Sequence, residues 1–255
     1  MLKNRNFAVA TVAMFFLGFV LYSSTVLIPQ FLQELLGYTA QLSGLALSPG
    51  GAVIMCMMPV VGLLVSKVDT RILITFGCIV SSVALFVMAG WDLGLDYGHA
   101  VRARMLQSFG LAFLFIPINV AAFAYVPREK TNMGTGIINL ARNIGGSFGI
   151  ANVVTLLARR SQFHQGVLVS HMTPFDSAYQ AMVNGAAGVL HIAGSSFPDA
   201  QAQANGMAYG LLQRHSAMLA FVDDFWLMGL TFLSLIPLMF LMKKSRPHRA
   251  PVSAH

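Results

Sequence analysis

Charge is what this sequence has least of. Only 10% of its 255 residues are Asp, Glu, Lys or Arg, against 56% hydrophobic. A soluble domain carries about 25% charged residues. This chain cannot cover a water-facing surface, and lipid is the solvent that its composition fits. Acids are scarcer than bases, 9 against 16, which leaves a formal charge of +7. In a soluble chain that excess would point to nucleic acid. Here the basic residues fall in short clusters between apolar stretches, so topology accounts for them and no nucleic-acid partner is expected. The two cysteines, Cys56 and Cys78, both lie inside apolar stretches, which argues against a disulfide framework. The chain also lacks a phosphate-cradling Gly-rich loop with a Lys, so ATP is not implied. Its seven histidines show no tight metal-ligand spacing, and no nucleophile stands beside a base. No catalytic residues, metal or cofactor are expected, and the chain does not read as an enzyme.

Long apolar runs are what it has most of. A membrane-crossing helix needs about 20 mostly apolar residues. Six stretches qualify: Phe7 to Ile28, Leu42 to Val65, Ile72 to Trp91, Met105 to Val126, Met133 to Ala158 and Met218 to Met242. They have helical length and no dyad alternation, which sets them apart from barrel strands. The first run follows Lys3 and Arg5 but is too long for a signal peptide, and reads as a retained helix. The fold class is therefore an all-α membrane protein with six transmembrane helices.

Lys and Arg set the orientation. With the N-terminus in the cytoplasm, Lys3, Arg5, Lys67, Arg71, Arg128, Lys130, Lys243, Lys244, Arg246 and Arg249 fall inside. Only Arg102, Arg104, Arg159, Arg160 and Arg214 then fall outside. Both termini are expected in the cytoplasm. The organisation that follows is five helices over 1–158, a long outer loop over 159–217, a sixth helix over 218–242 and a basic cytoplasmic tail over 243–255. Phe175, Tyr179, Met182 and Leu190 have rough helical spacing in the outer segment, which reads as an interfacial helix or as a loop rich in Gly, Ser, Ala and Gln.

The spans carry residues that are costly in lipid. Arg142 lies near the middle of the fifth span, and Asp223 and Asp224 lie in the outer part of the sixth. A charge at the bilayer centre costs at least about 2.5–3.5 kcal/mol, so such residues face a bundle interior or a wet path. An ion pair between helices and a role in transport are both open for Arg142, with Asp223 as its potential ion-pair or proton-linked partner. Thr135, Asn139, Arg142, Gly146 and Gly149 recur at intervals of three and four, forming one polar and small stripe. Gly145-x-x-x-Gly149 permits close helix approach. Pro49 with Gly50, Pro59, and Pro117 beside Asn119 interrupt the second and fourth spans and read as kinks.

Several stretches together resemble one family. Gly62-Leu63-Leu64-Val65-Ser66-Lys67-Val68-Asp69-Thr70-Arg71 resembles the short cytoplasmic loop signature of the major facilitator superfamily, with Ser66 and Lys67 where an acid and an Arg are usual. The run from Ile28 to Gln33 followed by Gly37-Tyr38-Thr39-Ala40, and Gly44 through Gly51, are similar to the drug:proton antiporters of the EmrB/QacA type. So are Arg104-x-x-Gln107-x-x-Gly110, Asn139-x-x-Arg142-x-x-Gly145-Gly146 and Ala220-Phe221-Val222-Asp223. The resemblance covers essentially the whole chain and only the C-terminal half of that fourteen-helix family.

The resemblance implies a multi-pass protein of the bacterial inner membrane. It would be one half of a proton-driven exporter of small amphipathic compounds, with the proton gradient rather than a cofactor as its energy source. Arg142, Asn139, Asn119 and Gln107 would line the substrate path. Gly62, Lys67, Asp69 and Arg71 would form a gating loop, and Pro49, Gly50 and Pro117 would let helices bend. Besides the bilayer, the expected partner is a missing N-terminal half or a second copy, and docking of a periplasmic adaptor on the outer loop is open. A truncated, non-transporting fragment begun at an internal Met, or a membrane assembly partner, is the alternative.

Overall fold

The computed structural model describes residues 4–173 and 175–242, with Arg128 described by its backbone only. Lys3 and the basic tail with Lys243, Lys244, Arg246 and Arg249, invoked for orientation, lie outside the described residues. The described residues form seven α-helices in order: α1 Arg5–Glu34, α2 Ala40–Val65, α3 Thr70–Ala89, α4 Tyr97–Phe123, α5 Thr131–Val169, α6 Ser177–Ile192 and α7 Phe197–Phe240. A single 3-10 turn, Arg128–Lys130, precedes α5. The described residues contain no strand.

Short polar side chains start these helices. Asn4, Thr39, Asp69, Asp96 and Asp176 each cap a helix by accepting from a backbone N–H two or three residues on. Each satisfies a donor that the first turn leaves without a partner. α6 ends on a left-handed glycine, Gly194 at φ 106°. The Ser195 N–H returns to the Leu190 carbonyl at 3.1 Å and the Gly194 N–H to that of His191 at 3.0 Å. This paired closure needs positive φ, which glycine adopts without strain.

Among the described residues, five helices are long and apolar enough to cross a membrane: α1, α2, α3, α4 and α7. The expected fifth span, 133–158, lies within α5, which is 39 residues long but falls short in apolarity. The reason is in its side chains: Asn132, Thr135, Asn139, Arg142, Asn143, Ser147 and Asn152 interrupt its aliphatic residues. The segment read as a long loop, 159–217, is largely helical. α5 continues to Val169, α6 occupies Ser177–Ile192, and α7 begins at Phe197. Tyr179, Met182 and Leu190 lie on α6, while Phe175 stands in the turn before it, 96% exposed. Alanine explains the difference: it is the best helix former, and it recurs at Ala178, Ala181, Ala186, Ala187, Ala200, Ala204 and Ala208.

The chain divides into two compact units, 1–153 with 224–255, and 154–223. In the first unit, fully buried Phe7, Met14, Leu17, Phe31, Ile74, Leu85, Phe225 and Phe232 make the core. The Trp91 ring stands between Phe31 and Phe225, at centroid distances of 5.1 and 5.3 Å. Glycines set the closest helix approaches. A Cβ on Gly77 of α3 would lie 2.8 Å from the Gly110 carbonyl oxygen of α4. A Cβ on Gly145 or Gly149 of α5 would strike the Phe15 or Phe19 carbonyl of α1, and one on Gly18 would strike the Arg142 carbonyl. The small residues at 145 and 149 thus let two backbones meet, as their spacing suggests. α2 is the least covered span, with 11% of its most apolar stretch buried. Cys56 on α2 is exposed, whereas Cys78 on α3 is buried.

The second unit packs α6 against the N-terminal part of α7 through small side chains. Val183 and Ala187 meet Ala200, Ala204 and Ala208, with Met172, Tyr179, Ala186 and Leu190 packed around them. Side-chain bonds tie its helices, among them Tyr179, which donates to Asn205 Oδ1 at 3.1 Å, and Gln165 Nε2, which donates to the Tyr209 hydroxyl at 3.1 Å.

Candidate functional site

The α4 helix begins at its Asp96 cap, which carries Arg104 two turns into the helix rather than into an outer loop. The Arg104 guanidinium is buried, with 6% exposure. Its Nη1 donates to Ser24 Oγ at 3.1 Å and to Gln107 Oε1 at 2.7 Å, and its Nη2 donates to Thr25 Oγ1 at 3.3 Å. All three acceptors are neutral, and among the described residues Arg104 Nε has no partner. Gly50 of α2 makes room for this group: a Cβ there would lie 2.5 Å from Ser108 Oγ and 3.2 Å from the Arg104 stem. Counting Arg104 as a loop charge missed the site. The signal was present in Arg104 and Gln107, three residues apart and so neighbours on one helix face.

The α5 face splits in two. Gly146 and Gly149 turn toward α1, where Gly146 lies against the Tyr22 ring and Gly149 against Phe19 and Ser23. Thr135, Asn139, Asn143 and Ser147 are exposed. Tyr22, Asn143, Gly146, Ser147 and Ile150 line an open groove of about 300 Å³. Its lining carries a phenol, an amide and a hydroxyl and no formal charge, so it can hydrogen-bond and stack on a guest without fixing the guest's charge. Arg142 is half-buried, and its Nε has no partner among the described residues.

On the 154–223 unit, Asp223 is held by two basic side chains. Arg160 Nε and His164 Nε2 each approach Asp223 Oδ2 to 2.7 Å. Asp223, named from the sequence as a potential ion-pair or proton-linked residue, thus has Arg160 and His164 as partners within its own unit. Arg160 and His164 are four residues apart on α5 and so share a face. The hydrogen bond to Asp223, followed by its charge, holds the Arg160 guanidinium above its ordinary pKa. The neighbouring Asp224 is fully buried.

The other anticipated residues divide by role. Gln107 belongs to the Arg104 cluster. Asn119 turns its amide onto its own helix, donating to the Phe115 carbonyl at 2.7 Å. In the short connection after α2, Asp69 caps α3 by accepting from the Arg71 N–H at 3.1 Å, while Gly62 and Lys67 are exposed. Pro49 and Pro117 sit inside continuous helices α2 and α4.

These features define a multi-pass helical membrane protein with polar side chains sequestered among apolar spans. Residues 1–150 match the Major Facilitator Superfamily, and the chain belongs to that superfamily of membrane transporters. It is 28% identical over 242 residues to the multidrug export protein EmrB of Escherichia coli, covering 94% of this chain and 46% of that protein. It is 28% identical over 246 residues to the fatty acid resistance protein FarB of Neisseria gonorrhoeae, with the same coverage of 94% and 46%. Against the multidrug resistance protein Stp of Mycobacterium tuberculosis the identity is 30% over 161 residues, 61% of this chain and 29% of that protein. The chain spans about half the length of the curated relatives it matches.

Proposed function

We propose that this chain supplies one half of a proton-driven exporter of small amphipathic compounds in the bacterial inner membrane, with both termini in the cytoplasm. The observation that carries the reading is coverage: 94% of this chain aligns to 46% of a protein named for multidrug export. The exposed polar residues of α5 support it. Thr135, Asn139, Asn143 and Ser147 would be costly against lipid alone, and a second half-transporter, or a second copy of this chain, gives them a wet path to face. Arg142 and Asn139, with the groove beside Tyr22, line the path on this side. Gln107 acts through Arg104 in the bundle, Asn119 supports its own helix, and the connection around Lys67, Asp69 and Arg71 works as the gating turn. A periplasmic adaptor completes the assembly where the cell wall has an outer membrane.

The test is drug efflux from cells carrying the chain with a complementary half, measured beside Arg142→Ala and Arg142→Met at matched protein levels. Export should fall to background in both variants. Unchanged export in either removes Arg142 from the path, and no export from any pairing or from the chain alone overturns the half-transporter reading.

A further inference from the structure

Where α3 gives way to α4, Val87, Trp91, Ala103, Leu106, His99 and Arg102 help to line a groove of about 430 Å³. All of it lies within the unit 1–153 with 224–255. It opens at one end of two helices able to cross a membrane. Three amphipathic rings gather at that end: Trp91 beside Phe31, and Tyr38 with Tyr97, their centroids 5.5 Å apart. Such rings mark the level of the lipid headgroups. Further along α3, Ile79, Val83 and Val87 are spaced by four and are 44%, 48% and 51% exposed. They share a face, so an apolar track runs from the groove along the span. None of these residues belongs to the Arg104 cluster or to the α5 groove.

Two residues of the lining hold donors that the fold does not use. Trp91 is 7% exposed, its ring fixed between Phe31 and Phe225, yet its indole N–H has no hydrogen-bond partner among the described residues. A buried donor left without an acceptor is costly. Arg102 is exposed, and its Nε donates to the Gly98 carbonyl at 3.2 Å, which orients the guanidinium. Its Nη nitrogens bond to nothing among the described residues. A guanidinium is a permanent cation whose paired N–H groups match a phosphate. Two acids, Asp92 and Asp96, stand on the connection outside the lining. Asp96 caps α4 and lies 3.7 Å from His99. Arg102 lies more than a turn further into α4 than that cap, so the acids face the outer end of a headgroup and the guanidinium faces its phosphate.

From this geometry we propose that the groove holds a phospholipid. Its phosphate diester meets the Arg102 Nη nitrogens, a glycerol ester carbonyl accepts from the Trp91 N–H, and an acyl chain lies along Val87 and Leu106 toward Ile79. The lipid is a resident of the fold rather than a transported compound, so the site stands or falls separately from export.

The test uses the full chain purified in a maltoside detergent, with bound lipid counted by native mass spectrometry. Two probes share their acyl chains: dioleoylphosphatidylcholine, and monogalactosyl dioleoylglycerol, which has no phosphate. The phosphatidylcholine should be retained about tenfold more tightly, since a hydrogen bond to a charged group is worth at least that factor. Arg102→Gln should abolish the difference, and Arg159→Gln, at another exposed arginine, should leave it intact. Trp91→Phe keeps a ring between Phe31 and Phe225 but removes the N–H, and should weaken retention of both probes about threefold. A phosphatidylcholine with a diazirine in its acyl chain should label peptides within 79–106, about tenfold less in Arg102→Gln. If Trp91→Phe loses helicity, Arg102→Gln still decides, because that side chain is exposed and makes one bond. Equal retention of the two probes, an unchanged preference in Arg102→Gln, or label spread evenly over the apolar faces overturns the proposal.

Discussion

The two units of this chain solve the problem of buried polarity in opposite ways. In residues 1–153 with 224–255, Arg104 is a cation enclosed by neutral groups, the Ser24 and Thr25 hydroxyls and the Gln107 amide. In residues 154–223, Arg160 meets a carboxylate directly and keeps 41% of its side chain exposed. A buried charge needs strong compensation, whereas an exposed pair contributes little and is screened by salt. The packing differs in parallel. Glycine brings backbones together in the first unit, and alanine keeps them one methyl apart in the second. The first unit is thus intolerant of change at its contacts, and the second tolerant.

Glycine replacement tests that contrast with the largest expected effect. Gly145→Ala places a Cβ on the Phe15 carbonyl. Because backbone cannot swing aside as a side chain does, the cost should reach about 3 kcal/mol or more, at the top of the overpacking range. Gly185→Ala on α6 meets nothing within 4 Å and should stabilise by about 0.5–1 kcal/mol through helix propensity. Thermal unfolding of both variants in the same detergent checks the pair; similar shifts would erase the distinction between the units.

Next in size is Gln107→Leu. It removes the shortest hydrogen bond to Arg104 and leaves a buried cation short of an acceptor, for a loss of about 1–3 kcal/mol. Urea titration of helicity measures it, and an unchanged midpoint would mean that the hydroxyls alone suffice. The smallest effect belongs to Asp223→Asn. The partners are partly exposed, so the drop in melting temperature should be less than that of either preceding loss. It should shrink further as salt is raised, because screening already weakens the pair. A salt-independent loss would show that Asp223 acts through its hydrogen bonds rather than its charge.

Among the described residues, hydropathy located the five helices able to cross a membrane but understated the lengths of all except α3. The apolar run 218–242 marks only part of α7, which starts at Phe197. Its 44 residues exceed the roughly 20 that cross the hydrocarbon. Transfer cost registers where lipid is favoured, and helices continue wherever alanine and a good cap allow. The Asp96 and Asp176 caps were readable, and reading Asp96 would have moved Arg104 from loop to core. Close approach at Gly145 and Gly149 was legible because it needs only spacing on one helix. The partners of Asp223 were not, because Arg160 and His164 reach it from 63 and 59 residues away. No local pattern distinguishes them from Arg142 at that separation.

The unequal setting of the two cysteines makes the natural chain a ready-made object for site-directed spectroscopy. Cys56 is open on the sparsely covered α2, and Cys78 is enclosed on α3. A small thiol-reactive fluorophore therefore marks one position stoichiometrically with no residue engineered. Its emission then reports whether that face of α2 meets lipid, detergent or another polypeptide.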